Sequence, residues 1–227
     1  MRYCGIHVSD EPEGQQLCTL HGRRGADGLE LVTSFYASGT VEQVTRTVSG
    51  FGRGEAIVAV GAPAHPGAGR GELRTRGIPA RSLGPDGSAF FNALSDLGRY
   101  RPQTANGART GSVDASATRS GRVFETDPDV VFCALLGHVA PPRGTPWGGQ
   151  QRIAALKLKG LVDDDGGLWH RTGEELDAAG AAYAAYALSA GLGTWVGDPV
   201  EGVLVVPTAS LLDHYDALPA PARARLA

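Results

Sequence analysis

Residues 173–207, GEELDAAGAAYAAYALSAGLGTWVGDPVEGVLVVP, decide the fold. They begin as an acidic helix after Thr172, continue through a run of alanines and glycines, and close on a short apolar strand. Thr172 with Glu175 three positions on has the spacing of a capping box, which satisfies two backbone donors at a helix start. Ala178, Ala179, Gly180, Ala181 and Ala182 carry almost no side-chain bulk, so the helix they form lets a second backbone approach closely. One carboxylate, Asp177, enters that close-packed face. Burying a charge is costly unless it is paired, so Asp177 either complements the helix dipole or belongs to a site.

The rest of the chain supplies the sheet for this helix. Residues 2–9, 16–20 and 29–36 read as three antiparallel strands. Thr40 and Gln43 have capping-box spacing, and Val41, Val44 and Val48 share one helical face. Residues 56–60 then form a buried strand that a crossover helix places parallel to a central one. Residues 122–125 are a further strand. Asp127, Pro128 and Asp129 follow as a cap, a proline at the first helical position and an early acid, opening a helix that ends at Gly137. Residues 141–149 read as a turn-rich link, 150–159 as a helix, 163–167 as a turn and 208–227 as a helical tail. The expected fold is α/β, a mixed sheet of about five strands flanked by helices.

The 227 residues are 42% hydrophobic and 20% charged, which suits a single domain over 1–227 with a sizeable core and argues against wholesale disorder. No apolar run reaches the roughly 20 residues that span a bilayer. The first residues lack a basic-then-apolar signal pattern, so the expected location is cytoplasmic with no membrane partner. Cys4, Cys18 and Cys133 are odd in number and widely spaced among apolar neighbours, the setting of reduced core thiols. Residues 61–120 are rich in Gly, Pro, Arg, Ser and Thr, with helical spacing only over 89–97, and read as an insertion or long loop. Between Pro66 and Arg122 nine arginines face four acids, although the whole chain carries a net −3. That asymmetry describes either a basic flap that holds phosphates against an acidic body or a solvated loop in which Arg stands in for Lys.

Several short elements, taken in order, resemble a family of predicted nucleases of ribonuclease-H-like fold, long described only as a domain of unknown function. They are Gly5, Ile6, His7 and Val8 on the first strand, the strand ending in Ala62 and Pro63, and the Val-Phe-Glu-x-x-Pro element at Val123–Pro128. Further along come Gly149 and Arg152 on a helix, Leu176, Asp177 and Ala178, and finally Gly197, Asp198, Glu201, Gly202, Val206 and Pro207. The resemblance implies a ribonuclease-H-like fold with a basic insertion. It also implies phosphodiester hydrolysis in nucleic acid by carboxylates that hold Mg²⁺ or Mn²⁺, because two cations about 4 Å apart need several converging acids. In that pattern the first-strand acid is an Asp where this chain has His7, and a second acid precedes Ala-Pro where this chain has Gly61. Glu125 and Asp177 remain.

Glu125, Asp177 and His7 are therefore the candidate catalytic and metal-ligating residues, each with an alternative role. Glu125 lies at a strand's carboxyl-terminal end, where α/β folds gather ligands, or it caps the helix at Pro128. His7 is a third ligand or a base, or a buried neutral imidazole bonded to Glu125 or Asp177. Imidazole suits Mn²⁺ better than Mg²⁺. Asp10 lies on the other strand face and substitutes only if the strand bends. Arg152, Arg70, Arg74 and His65 are the candidate substrate-binding residues, with surface pairing the alternative for Arg152 and a solvated loop for His65. Glu174 shares the helical face of Asp177. Trp147, Trp169 and Trp195 are dispersed and read as core or lid packing. The leading expectation is a metal-dependent nuclease. The competing ones are a noncatalytic nucleic-acid- or protein-binding descendant and an enzyme acting on a small molecule in the same cleft.

Overall fold

The computed structural model describes residues 1–25, 28–52, 55–62, 69–80, 86–100, 122–198, 200 and 202–218. Strands β1 (Arg2–His7), β2 (Gln16–Gly25) and β3 (Gly28–Phe35) form an antiparallel meander, followed by helix α1 (Val41–Ser49) and strand β4 (Ala56–Gly61). Helices α2 (Arg70–Thr75) and α3 (Ser88–Ala93) precede β5 (Val123–Glu125), and α4 (Pro128–Leu136) and α5 (Pro146–Leu158) follow it. The chain then forms β6 (Leu161–Val162), α6 (Gly173–Ser189) and the hairpin of β7 (Thr194–Asp198) and β8 (Gly202–Val206).

Among the described residues, eight strands join one mixed sheet in the order β6-β3-β2-β1-β4-β5-β8-β7. β4 runs parallel to β1 and to β5, and β8 parallel to β5, so β1, β4, β5 and β8 end on one edge of the sheet. The sheet has eight strands where the sequence suggested about five. β6 is two residues long and too short to show a period, and the apolar strand read near the C-terminus is the second arm of a hairpin with β7. Residues 208–218 contain no helix, which corrects the helical tail over that span; the remainder of that expectation lies outside the described residues.

α6 lies across the centre of one sheet face. Its residues from Leu176 to Ala185 are all buried, as expected of a helix apolar on every side. It crosses β1 at Gly5, where a Cβ would overlap the carbonyl of Ala178 and the amide of Ala182. The alanine run and Gly5 thus act together to bring two backbones into contact. Ile57, Ala59, Phe124 and Val205 pack beneath the helix with Ala181, Ala185 and Leu188. On the opposite face Cys4, Ile6, Val58, Val60 and Val123 pack against Val44 and Val48 of α1 and Phe90 of α3. α4 serves two clusters, sending Phe132 toward α6 and Val130 and Cys133 toward α2 and β8. All three cysteines are buried and reduced, as the sequence suggested.

The capping signals read from sequence hold in detail. Thr40 with Gln43 and Thr172 with Glu175 form reciprocal capping boxes, and Asp127 accepts from the amides of Asp129 and Val130 ahead of Pro128. α5 starts at Pro146 rather than residue 150, because Thr145 caps it by accepting from the Gly148 amide and Pro146 takes the first helical position. Gly148 is needed there, since a Cβ would strike the Pro142 carbonyl. No helix among the described residues is long and apolar enough to cross a membrane.

Candidate functional site

His7 ends β1 opposite Gly61 of β4, and Asp177 reaches the same edge from the second turn of α6. His7 Nδ1 lies 3.6 Å from Asp177 Oδ2, and both side chains are almost sealed from solvent. Two arginines complete the cluster. Arg152, on α5 and fully buried, donates through Nε to Asp177 Oδ1 at 3.2 Å, through Nη2 to Asp129 Oδ1 at 2.8 Å and through Nη1 to the Pro141 carbonyl at 2.7 Å. Its guanidinium carbon stands 4.8 Å from the centre of the Phe132 ring. Arg143, in the loop before α5, places Nη1 3.1 Å from both Asp177 Oδ2 and His7 Nε2.

Asp177 therefore receives a guanidinium on each oxygen, yet burial dominates its ionisation. Removal from water pushes its carboxyl up to about 6; Arg152 and Arg143 pull it down, and Asp129 pushes it further up. Burial also raises Asp127, with the neighbouring Asp129 adding to the rise. The first turn of α4 thus carries two acids, one capping the helix and one bonded to Arg152.

Glu125 belongs to a different place. It pairs in register with Val60, which pairs with Ile6, whereas His7 pairs with Gly61. Side chains alternate along a strand, so Glu125 projects from the face that carries Ile6 and Val60, and His7 from the face that carries α6. On its own face Glu125 accepts from Arg70 Nη2 at 2.5 Å, with both side chains at most 3% exposed. The helix at Pro128 is capped by Asp127, not by Glu125.

These positions revise the substrate-binding expectations. Arg70 and Arg152 are both buried and hold carboxylates, so neither guanidinium is presented to a phosphate. Arg74 is exposed on α2 and also reaches the Ala80 carbonyl at 3.3 Å. His65 lies outside the described residues. Asp10 is exposed in the turn after β1, and Glu174 meets Arg143 at 3.7 Å. Trp195 is in the core, whereas Trp169 is 60% exposed.

The donors do not fit a divalent cation pair. Glu125 faces away from Asp177 and His7 across the sheet, and each carboxylate is already met by guanidinium groups that a cation would have to displace. Among the described residues no three His, Cys, Asp or Glu side chains converge in a metal-binding group. Sequence reading missed Arg143 and the role of Asp129. Arg143 sits in a Pro-Pro-Arg-Gly turn without periodicity; the one signal for it was that a buried Asp177 required a cation nearby.

Comparison with family models, with curated proteins and with solved structures returned no match for this chain. Fold and site together define an α/β protein with a mixed eight-stranded sheet and a buried arginine–carboxylate cluster at the carboxyl-terminal ends of its parallel strands.

Proposed function

We propose that this chain is a ribonuclease-H-like protein that binds nucleic acid without hydrolysing it. The observation that carries the reading is that Glu125 and Asp177 are each answered by buried guanidinium groups. Metal-assisted phosphodiester hydrolysis needs carboxylates that converge and stay open to two cations. Here the two retained acids point to opposite sheet faces, and their negative charge is used within the protein.

The scaffold part of the reading is supported by the five central strands. In the order β3-β2-β1-β4-β5, the first three are antiparallel and the last two parallel to β1, as the ribonuclease-H-type reading of the sequence requires. The nucleic-acid part is supported by the arginine excess between residues 66 and 122, of which Arg74 and Arg99 are exposed among the described residues. Arginine suits phosphate through its planar, always-charged fork.

The test uses labelled single-stranded, duplex and hybrid nucleic acids with Mg²⁺, Mn²⁺ or chelator. Binding that weakens steeply as salt rises, with every substrate intact in both metals, is the expected result. Chelator-sensitive cleavage that disappears in Asp177→Asn overturns the non-hydrolytic reading. Failure to bind any of the three overturns the nucleic-acid reading.

A further inference from the structure

A groove of about 460 Å³ opens between the starts of α5 and α6, on the solvent side of the Asp177 cluster. We propose that it receives one nucleotide unit, with the base stacked on Trp169 and the phosphate on Arg143. The proposal rests on the nucleic-acid reading and assigns it contact residues outside the arginine-rich stretch of sequence.

Trp169 is presented rather than packed. It sits in a short 3₁₀ turn, Leu168–His170, whose Leu168 is buried as the anchor while the indole stays 60% exposed at the groove wall. The Lys157 ammonium lies 5.6 Å from the ring centre, so a cation already braces the aromatic surface. Ile153 and Leu176, both buried, give the groove an apolar floor. An exposed indole beside cations and above an apolar floor suits a base, because every base has a π face.

Arg143 is anchored at one end and available at the other. Its Nη1 is held by Asp177 and His7, while Nη2 meets Glu174 at 3.7 Å, with Glu174 42% exposed. A long contact between solvated groups contributes little, so a phosphate oxygen can take the place of Glu174 without moving the anchored nitrogen. Arg171 behaves differently. Asp163 holds it through two bonds of 2.7 and 3.1 Å, Glu175 accepts a third at 3.3 Å and Phe35 backs its plane, so Arg171 is a fixed, charge-compensated part of the opposite wall. Arg143 faces Asp177 and Glu174, and Arg171 faces Asp163 and Glu175, so only the loosely held end of Arg143 is exchangeable, which suits one phosphate with a base rather than a polyphosphate. A single-stranded nucleic acid and a free nucleoside monophosphate share that chemistry.

The experiment measures binding of a labelled short oligothymidylate and of adenosine 5′-monophosphate to wild type, Trp169→Ala and Trp169→Phe, with tryptophan fluorescence read in parallel. The expected result is that Trp169→Ala weakens the oligonucleotide at least about fivefold, while Trp169→Phe, which keeps an aromatic face, retains most of the affinity. Quenching of wild-type fluorescence by the monophosphate, lost in Trp169→Phe, would assign the groove to free nucleotide even if the oligonucleotide does not bind. Equal oligonucleotide affinity in all three proteins overturns the groove and leaves the nucleic-acid reading standing. No oligonucleotide binding and no quenching by the monophosphate overturns the groove, and the nucleic-acid reading falls with it if duplex and hybrid also fail to bind.

Discussion

Arg152 and Asp177 form a pair sealed from solvent, Nε to Oδ1 at 3.2 Å, and the same guanidinium also holds Asp129 and the Pro141 carbonyl. One side chain thereby ties together the first turn of α4, the second turn of α6 and the loop before α5. Beside His7 at the end of β1, this arginine gives the buried carboxylate a fixed partner.

Leaving a buried charge without its partner costs about 3–5 kcal/mol, and after loss of Arg152, Asp177 still keeps the Arg143 Nη1 contact at 3.1 Å. Arg152→Met is expected to lose about 3 kcal/mol, the lower end of that range, near neutral pH, measured by urea unfolding. The loss should shrink toward about pH 5, because Asp177, left with Arg143 alone, then takes up a proton and stops being a buried charge. A loss of the same size at both pH values would show that packing against Phe132, not charge, is what Arg152 supplies.

Asp177 also sets a pH dependence for the wild-type protein. Its carboxyl ionises near 3.8 in its ordinary state and near 6 in the folded protein, so between these values the folded chain binds more protons than the unfolded one. The stability it contributes is complete below about pH 3.8 and is lost as pH rises through about 6, a change on the order of 2–3 kcal/mol. Relative to Asp177→Asn, the wild type should therefore lose stability between about pH 4.5 and 7.5. Parallel urea-midpoint profiles for the two proteins would refute this.

Where the chain states its structure locally, the sequence is readable. Thr40 with Gln43, Asp127 with Asp129 and Val130, and Thr172 with Glu175 each mark a helix start by a bond between residues two or three apart, and all three starts fall where expected. The start of α5 was missed because Gly148 and Gly149 disguise a helical turn, although Thr145 and Pro146 are a cap and a first-position proline. β6 was missed because its two residues carry no pattern and exist as a strand only through Leu31 and Val32 of β3.

At the site, residue identity was more legible than partnership. His7, Glu125, Asp177, Arg70 and Arg152 are all buried polar residues, and polar residues in apolar runs draw notice in a sequence. Their pairing depends on register and on contacts across more than fifty positions, such as Arg70 with Glu125 and Arg143 with His7. Whether Glu125 shares a face with His7 turns on a one-residue offset between β1, β4 and β5, which sequence alone does not display.

The Arg70–Glu125 pair offers a separate test of whether these acids serve structure. Each single change, Arg70→Met or Glu125→Leu, removes one member of the buried pair and is expected to cost about 3–5 kcal/mol, whereas the double change removes both charges and should recover much of the loss. Unfolding of the four proteins of this cycle measures the coupling. Additive losses in the double variant would mean that the 2.5 Å contact contributes no specific stability.

The contact between β1 and α6 predicts the effect of the smallest substitution possible at Gly5. A methyl group there would overlap the carbonyl of Ala178 and the amide of Ala182, and both obstacles are backbone, so no rotamer change relieves the clash. Relief requires α6 to lift from the sheet, which would move Asp177 relative to His7 and open the packing of Ala181 and Ala185 over Ile57 and Ala59. Gly5→Ala is therefore expected to destabilise by about 3 kcal/mol or more, at the upper end of overpacking effects, and to lower the thermal midpoint by circular dichroism. Gly71→Ala is the matched control, because a Cβ there meets nothing within 4 Å and the same added methyl should leave the midpoint nearly unchanged. Equal midpoints for the two variants would mean that the backbones of β1 and α6 are not in contact at Gly5.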